Sequence, residues 1–258
     1  MLDNAVVVKL SGKALGGVEE LSKLFTACRG QKLVVVHGGG VEVDALFKAL
    51  NLEVKKKNGL RVSPREQMPY ISAALAGMCN KGLQALAIKN GLNALGMLAS
   101  DGKTITVRQL SKDLGMVGAV EPNDKKYLTL LLENGYTPII ASLAHDDNGD
   151  LYNVNADDAA LAIARVLNAP LYYISDVPGV LDKEGKLIDE LDENKVNALI
   201  ADGTISGGMT VKVKSAIDAT KLIKKPVYIA SFKDPNLAKN LISRSRLGTV
   251  FNRSEERR

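Results

Sequence analysis

Residues 32–50, KLVVVHGGGVEVDALFKAL, constrain the fold more than any other stretch of the chain. Leu33, Val34, Val35 and Val36 form an unbroken apolar run rich in β-branched residues, the pattern of a parallel strand covered on both faces. Val43, Leu46, Phe47 and Leu50 then recur at i, i+3, i+4 and i+7, which marks one face of a helix. Gly38, Gly39 and Gly40 lie between the two. Residues without a Cβ let a ligand reach the backbone, and the first N–H groups of the next helix favour an anion there. The turn is not a GxxxxGK[ST] phosphate loop. Nor is it a GxGxxG dinucleotide fingerprint, because Val43 stands where the last glycine would be. A tight strand-to-helix turn with no ligand is the plainer alternative.

The same alternation of strand and helix runs through the chain. A strand over 5–10 carries Lys9 near its end and meets a second small-residue turn, Ser11-Gly12-Lys13; a helix follows over 18–29. Ser63, Pro64 and Glu66 spell a capping box, which predicts a helix carried on by Met68, Ile71, Leu75 and Met78. Further on, helices are expected over 126–134, 159–167, 193–202 and 209–223, with a last one opened by Asp234-Pro235. Strands are expected within 94–107 and over 137–143, 171–175 and 227–230. The acidic run at 146–150 lacks the twelve-residue spacing and terminal Glu of a calcium loop, and its Asn-Gly predicts a hairpin turn. Such a chain is α/β, with a mainly parallel sheet and helices on both faces. Ligands in these sheets bind beyond the carboxyl ends of the strands, where Lys9, the glycine turn and Asp176 all fall.

Composition narrows the function. At 258 residues, 46% apolar and 24% charged, the chain has ordinary globular usage and length enough for one large domain or two lobes. No apolar run approaches the ~20 residues of a membrane span, and the first residues enter a strand without a signal-peptide pattern. A cytoplasmic location and no membrane partner are expected. Cys28 and Cys79 stand apart in apolar helical patterns and read as buried free thiols. With only His37 and His145, no metal site is expected. The formal charge of +5 suits small anions. Lys55, Lys56 and Lys57 lack interleaved aromatics and read as a solvated face rather than a nucleic-acid surface.

No nucleophile triad stands out. The chemistry-bearing candidates are cationic: Lys9 at a strand end, Arg61 in a loop and Lys212 beside a helix's apolar stripe. With glycine-turn amides they suit phosphoryl transfer, in which catalysis is mostly positioning and cancellation of charge. Taken singly, each lysine also reads as an exposed or snorkelling surface residue.

Longer motifs carry a resemblance. VVVKLSGKAL, VVVHGGGVEVDAL, VKKKNGLRVSPREQ, LAGMCNKGL, LLENGYTPII, GDLYNVNADDAA, ISDVPGVL and ISGGMTVKVKSAIDA, in this order, are similar to the amino acid kinase family and, within it, to the acetylglutamate branch. The resemblance implies a three-layer αβα sandwich with a mainly parallel central sheet, forming a single domain over 1–258. A lobe over roughly 1–168 would bind the amino acid and make a dimer contact; a lobe over roughly 169–258 would bind ATP. The implied reaction phosphorylates the side-chain carboxylate of N-acetyl-L-glutamate from ATP, an early step of arginine biosynthesis. Mg²⁺ would be carried by the ATP phosphates, since it keeps much of its water.

By the same resemblance, Lys9 and Lys212 neutralise the transferring phosphoryl group and Asp157 holds them in place. Gly39 and Gly40 contact substrate and phosphate, and Arg61 and Asn153 hold the α-carboxylate and amide region of the substrate. Gly12, the segment Asp176, Val177, Pro178, Gly179, Val180 and Leu181, and the segment Thr204, Ile205 and Ser206 bind nucleotide. Asp157 and Asn155 also suit the plain roles of helix N-terminal acid and N-cap. Ser11 stands where many relatives have glycine, and Lys13 has no assigned role. The chain starts at the first strand, without the N-terminal extension of arginine-inhibited relatives; a homodimer without strong arginine inhibition is therefore expected. A family kinase for another free or carrier-held carboxylate, and a non-catalytic nucleotide or amino-acid sensor, are the alternatives.

Overall fold

The first strand of the chain becomes the middle of its sheet. In the structure, a computed structural model that describes residues 4–252, β1 (Val6–Leu10) lies between β2 (Leu33–His37) and a strand from far down the chain. Between β1 and β2 come α1 (Gly12–Leu15) and α2 (Val18–Ala27); after β2 come α3 (Gly40–Ala49) and a two-stranded hairpin, β3 (Lys56–Lys57) and β4 (Leu60–Arg61). A continuous helical stretch follows: α4 (Met68–Ser72), a π-helical segment (Ala73–Cys79) and α5 (Asn80–Lys89). Next are β5 (Asn93–Leu98), β6 (Ile105–Gln109), β7 (Val117–Pro122), α6 (Lys126–Glu133), β8 (Tyr136–Ala141), β9 (Leu143–His145), β10 (Leu151–Val154) and α7 (Ala156–Leu167). The chain continues with β11 (Leu171–Ser175), β12 (Glu190–Leu191), α8 (Glu193–Ala201), α9 (Gly207–Ile223), β13 (Val227–Ser231), α10 (Leu237–Ser243) and β14 (Thr249–Phe251).

The main sheet has the order β12-β14-β13-β11-β1-β2-β8-β5. Its pairings are parallel from β13 to β5, and β14 alone runs against its neighbour β13. Successive side chains of a strand face opposite ways, and β1 divides accordingly: Val7 joins one apolar core while Val6, Val8 and Leu10 join the other. The first core lies under α6, α7 and α9, the second under α2, α5 and α10, so helices cover both faces as expected. Val34, Val35 and Val36 are fully buried, each burial stabilising by ~1.5–3 kcal/mol. This is an α/β fold with a mainly parallel central sheet.

A second sheet, β6-β7-β10-β9, has no counterpart in the sequence reading. Its β9–β10 hairpin contains the expected turn, closed by Asp146 N donating to Asp150 O (3.0 Å). Both cysteines are buried free thiols. The helices expected from 159 and 209 start slightly earlier, at Ala156 and Gly207, and two other helix starts differ in their capping. The capping box at 63–66 does not form: Ser63 is fully buried and its hydroxyl donates to Arg61 O (3.1 Å), so the chain begins with a 3₁₀ turn. A tertiary use of the hydroxyl displaces the local one. The last helix starts at Leu237 because Asp234 Oδ1 accepts from Asn236 N (2.8 Å), closing a turn ahead of it. The expectation about how the chain begins falls partly on Met1–Asp3, outside the described residues.

Candidate active site

Beyond the carboxyl ends of β1 and β2 lies a cavity of about 300 Å³, with a smaller one of about 60 Å³ beside it. Lys9 and Asp157 line both. Lys9 reaches the boundary from the end of β1, and its Nζ stands 2.7 Å from Asp157 Oδ1. Asp157 is held by the start of α7, where the Asn155 side chain caps the helix by accepting from Asp157 N (2.8 Å) and Asp158 N (3.3 Å). Lys212 comes from α9 and lines the smaller cavity with Ser11, Tyr173 and Ser215. Burial, then the charges of Asp157 and Asp158, push the Tyr173 phenol well above its ordinary range, so it stays neutral. Burial next to Asp157 likewise raises Asp158.

Gly38, Gly39, Gly40, Gly12, Arg61 and Asn153 line the larger cavity. Arg61 reaches it from the β3–β4 hairpin. Its Nη2 pairs with Asp44 of α3 and donates to Gly40 O (3.1 Å), and the guanidinium lies 5.5 Å from the Phe47 ring centroid. Lys56 Nζ also pairs with Asp44, at 3.1 Å. Partial burial raises the Asp44 carboxyl, but Arg61 and Lys56 outweigh it and hold the group below its usual value. Arg61 Nη1 is buried without a partner among the described residues, a donor free for a ligand oxygen. Asn153 on β10 donates from Nδ2 to Ser63 Oγ (3.1 Å), which leaves its Oδ1 to accept from a ligand N–H. Among the described residues, Asp157 is the one acid lining this cavity, against Lys9, Lys56 and Arg61.

The structure therefore gathers Lys9, Lys212, Asp157, Gly12, Gly39, Gly40, Arg61 and Asn153 at two adjoining cavities. Asp176, at the end of β11, pairs with the previously unassigned Lys13 at 2.5 Å. That bond, with Lys212 adding positive charge, holds its carboxyl low. Val177, Pro178, Gly179, Val180, Leu181, Thr204, Ile205 and Ser206 line neither cavity. Val180 N donates to Thr249 Oγ1 (2.8 Å), Thr204 N to Asp202 Oδ1 (2.9 Å), and Ile205 is buried. Asp44, Phe47 and Ser63 were missed by sequence reasoning. For Asp44 a signal existed: it follows Gly40 by four residues, one turn along the face that meets the glycine turn.

No cluster of three or more metal-ligating acids, thiols or imidazoles occurs among the described residues, nor any helix long and apolar enough to cross a membrane. What the site offers is a ring of cations and backbone amides around one shared Lys–Asp pair, able to bind two anionic groups and neutralise charge between them.

Residues 4–231 match the amino acid kinase family. The crystal structure of smu.665 from Streptococcus mutans is similar at 31% identity over 98% of this chain and 99% of that one, with a TM-score of 0.80. N-acetylglutamate synthase from Neisseria gonorrhoeae, complexed with coenzyme A and N-acetyl-glutamate, shares 22% identity over 96% of this chain and 59% of its own, with a TM-score of 0.81. Carbamate kinase from Giardia lamblia bound to AMP-PNP shares 18% over 98% and 100%, with a TM-score of 0.64. A strand-end lysine, a triple-glycine turn and an α/β sheet thus meet in one assignment: the chain belongs to the amino acid kinase family.

Proposed function

We propose that the chain is an acetylglutamate kinase, transferring the γ-phosphoryl group of ATP to the side-chain carboxylate of N-acetyl-L-glutamate. The observation that carries this reading is the Lys9–Asp157 pair shared by the two cavities, with Arg61 and Asn153 in one and Lys212 in the other. An acceptor in the larger cavity and a nucleotide reaching the smaller would meet at Lys9. A carboxylate oxygen attacks the γ-phosphorus, the bond from that phosphorus to the β–γ bridging oxygen breaks, and ADP leaves with the electron pair. The acceptor, with a pKa of about 4.3, is already ionised near neutral pH and needs no general base. The obstacle is repulsion between anions, which Lys9, Lys212 and the glycine-turn amides oppose. Asp157 keeps Lys9 from swinging away. Mg²⁺ would enter on the phosphates of ATP, which fits a site whose lining acid is already engaged by a lysine.

The acetylated substrate is favoured by the charge pattern. A free α-ammonium needs a carboxylate partner, yet Asp157 is taken by Lys9 and Asp44 by Arg61 and Lys56. Two substrate carboxylates suit Lys9, Lys56 and Arg61, and an amide N–H suits Asn153 Oδ1. The same reading includes an N-terminal lobe for the acceptor, a C-terminal lobe over roughly 169–258 for ATP, nucleotide contacts at 176–181 and 204–206, and a cytoplasmic homodimer. The test is ADP release by the purified protein with N-acetyl-L-glutamate, L-glutamate or carbamate in parallel. Turnover with the acetylated acid alone is expected. Turnover with another acceptor moves the assignment within the family, and ATP binding without turnover of any acceptor favours a sensor.

A further inference from the structure

His37 and Asn80 are buried polar side chains near the glycine turn, at 0% and 2% exposure, and neither lines either of the two cavities. Asn80 Nδ2 lies 2.8 Å from Ile139 O, an acceptor only, so this atom of the amide is the donor. The same nitrogen lies 3.0 Å from His37 Nε2. His37 Nε2 therefore accepts, and the ring proton sits on Nδ1, which donates to Gly38 O at 2.6 Å. The remaining Asn80 atom, Oδ1, occupies space that only a glycine leaves open: a Cβ at Gly96 would stand 2.1 Å from it.

In a trans peptide the carbonyl and the following N–H point in opposite directions, and the described chain has no cis bond. With Gly38 O drawn to the buried imidazole, the Gly39 N–H points away from that ring, and Gly38 and Gly39 both line the larger cavity. We infer that His37 and Asn80 are positioning residues: the chain Ile139 O to Asn80 to His37 to Gly38 O locks one peptide plane so that the Gly39 N–H faces the anion transferred in the site. Burial keeps the imidazole neutral, its pKa pushed down to about 4, so the lock holds in one tautomer at neutral pH. Neither residue touches a substrate; both act through the turn.

The inference rests on the phosphoryl-transfer reading for its kinetic arm and on the ring alone for its spectroscopic arm. The chain has two histidines, so ¹⁵N-histidine labelling of the wild type and of His145→Gln isolates the His37 ring. A proton on Nδ1 is expected; a proton on Nε2 overturns the lock whether or not the protein turns anything over. In kinetics, Asn80→Leu leaves the ring free to flip, and kcat should fall about tenfold or more, with KM for ATP within about twofold. Asn80→Asp equally loses the donor to Ile139 O, but its carboxylate draws a second proton onto the ring and keeps Nδ1–H on Gly38 O. A purely structural role predicts equal losses from the two variants; positioning predicts that Asn80→Asp keeps clearly the higher kcat. A folded Asn80→Leu protein with kcat within about threefold of wild type overturns the inference. Should Asn80→Leu not fold, an Asn80→Asp protein whose ring keeps Nδ1 protonated but whose kcat falls tenfold does so instead.

Discussion

Two glycine-rich segments flank the proposed chemistry, and they hold glycine for opposite reasons. At the turn after β2 the reason is space. Gly39 has a φ of 164°, extended backbone open to any residue, but a Cβ there would stand 2.6 Å from Cys79 Sγ and 2.8 Å from Leu75 Cδ2. The π-helical segment Ala73–Cys79 presses both side chains against the turn. Ahead of α9 the reason is conformation. Gly203 and Gly207 have φ of 78° and 56°, yet a Cβ on either meets nothing within 4 Å. The first segment is a packed socket at Gly39, although a Cβ at the neighbouring Gly40 would meet nothing within 4 Å. The second is a loop whose bends are set by backbone preference, with open space beside both glycines.

The sharpest way to break this contrast is Gly39→Ala. Overpacking should destabilise the fold by roughly 1–3 kcal/mol, read as a lower Tm, and turnover should fall by on the order of a hundredfold as the turn shifts. Lys212→Ala, from the helix behind the open loop, should lower kcat by on the order of a hundredfold with Tm unchanged. An unaltered kcat would remove that side of the site from the chemistry. The buried His37 under the socket gives a pH signature. The folded-state pKa, about 4, lies below the unfolded value near 6.5. Between those values only the unfolded chain takes up the proton. The contribution is therefore whole above about 6.5, and denaturant titrations should show stability falling by ~1.4 kcal/mol per unit as pH drops towards about 4. His37→Phe should lack that slope. Gly203→Ala should cost about 1 kcal/mol through its positive φ alone, seen in the denaturation midpoint. Gly208→Ala, with ordinary φ and open space, should stay within ~0.5 kcal/mol of wild type.

The same contrast explains what the chain's letters disclose. The socket is written locally: the β-branched run, the three glycines and the helical spacing of Val43 and Phe47 are neighbours in sequence, so strand, turn and helix were readable together. Asn155 as a cap and the Asn-Gly hairpin were equally local. Harder to read was whatever depends on distant partners. The β7–β10 pairing of the second sheet joins Val117 to Asn153. Ser63 was expected to cap its own helix, yet it works for Arg61 and Asn153 instead. The Arg61–Asp44 pair joins a hairpin to a helix with no pattern linking them. Lys9, Asp157, Arg61 and Asn153 could be nominated through family resemblance, but their convergence on one cavity is a product of the sheet. Val180 and Thr204 make bonds within the C-terminal half, whereas Asp176 reaches back to Lys13 of the first turn, a pairing of residues far apart in the chain.

The central place of β1 also sets a schedule for synthesis. One edge of β1 can be closed early, by β2, but the other pairs with Leu171, Tyr172, Tyr173 and Ile174 of β11. At the usual ~5–20 residues per second, β11 is made roughly ten to thirty seconds after β1. During that interval the ribosome carries an apolar strand, Val6–Leu10, with an open hydrogen-bonding edge, the kind of surface that recruits other chains. Lys9, projecting from that strand, is the charge the growing chain has there to discourage such pairing, long before Asp157 exists to hold it.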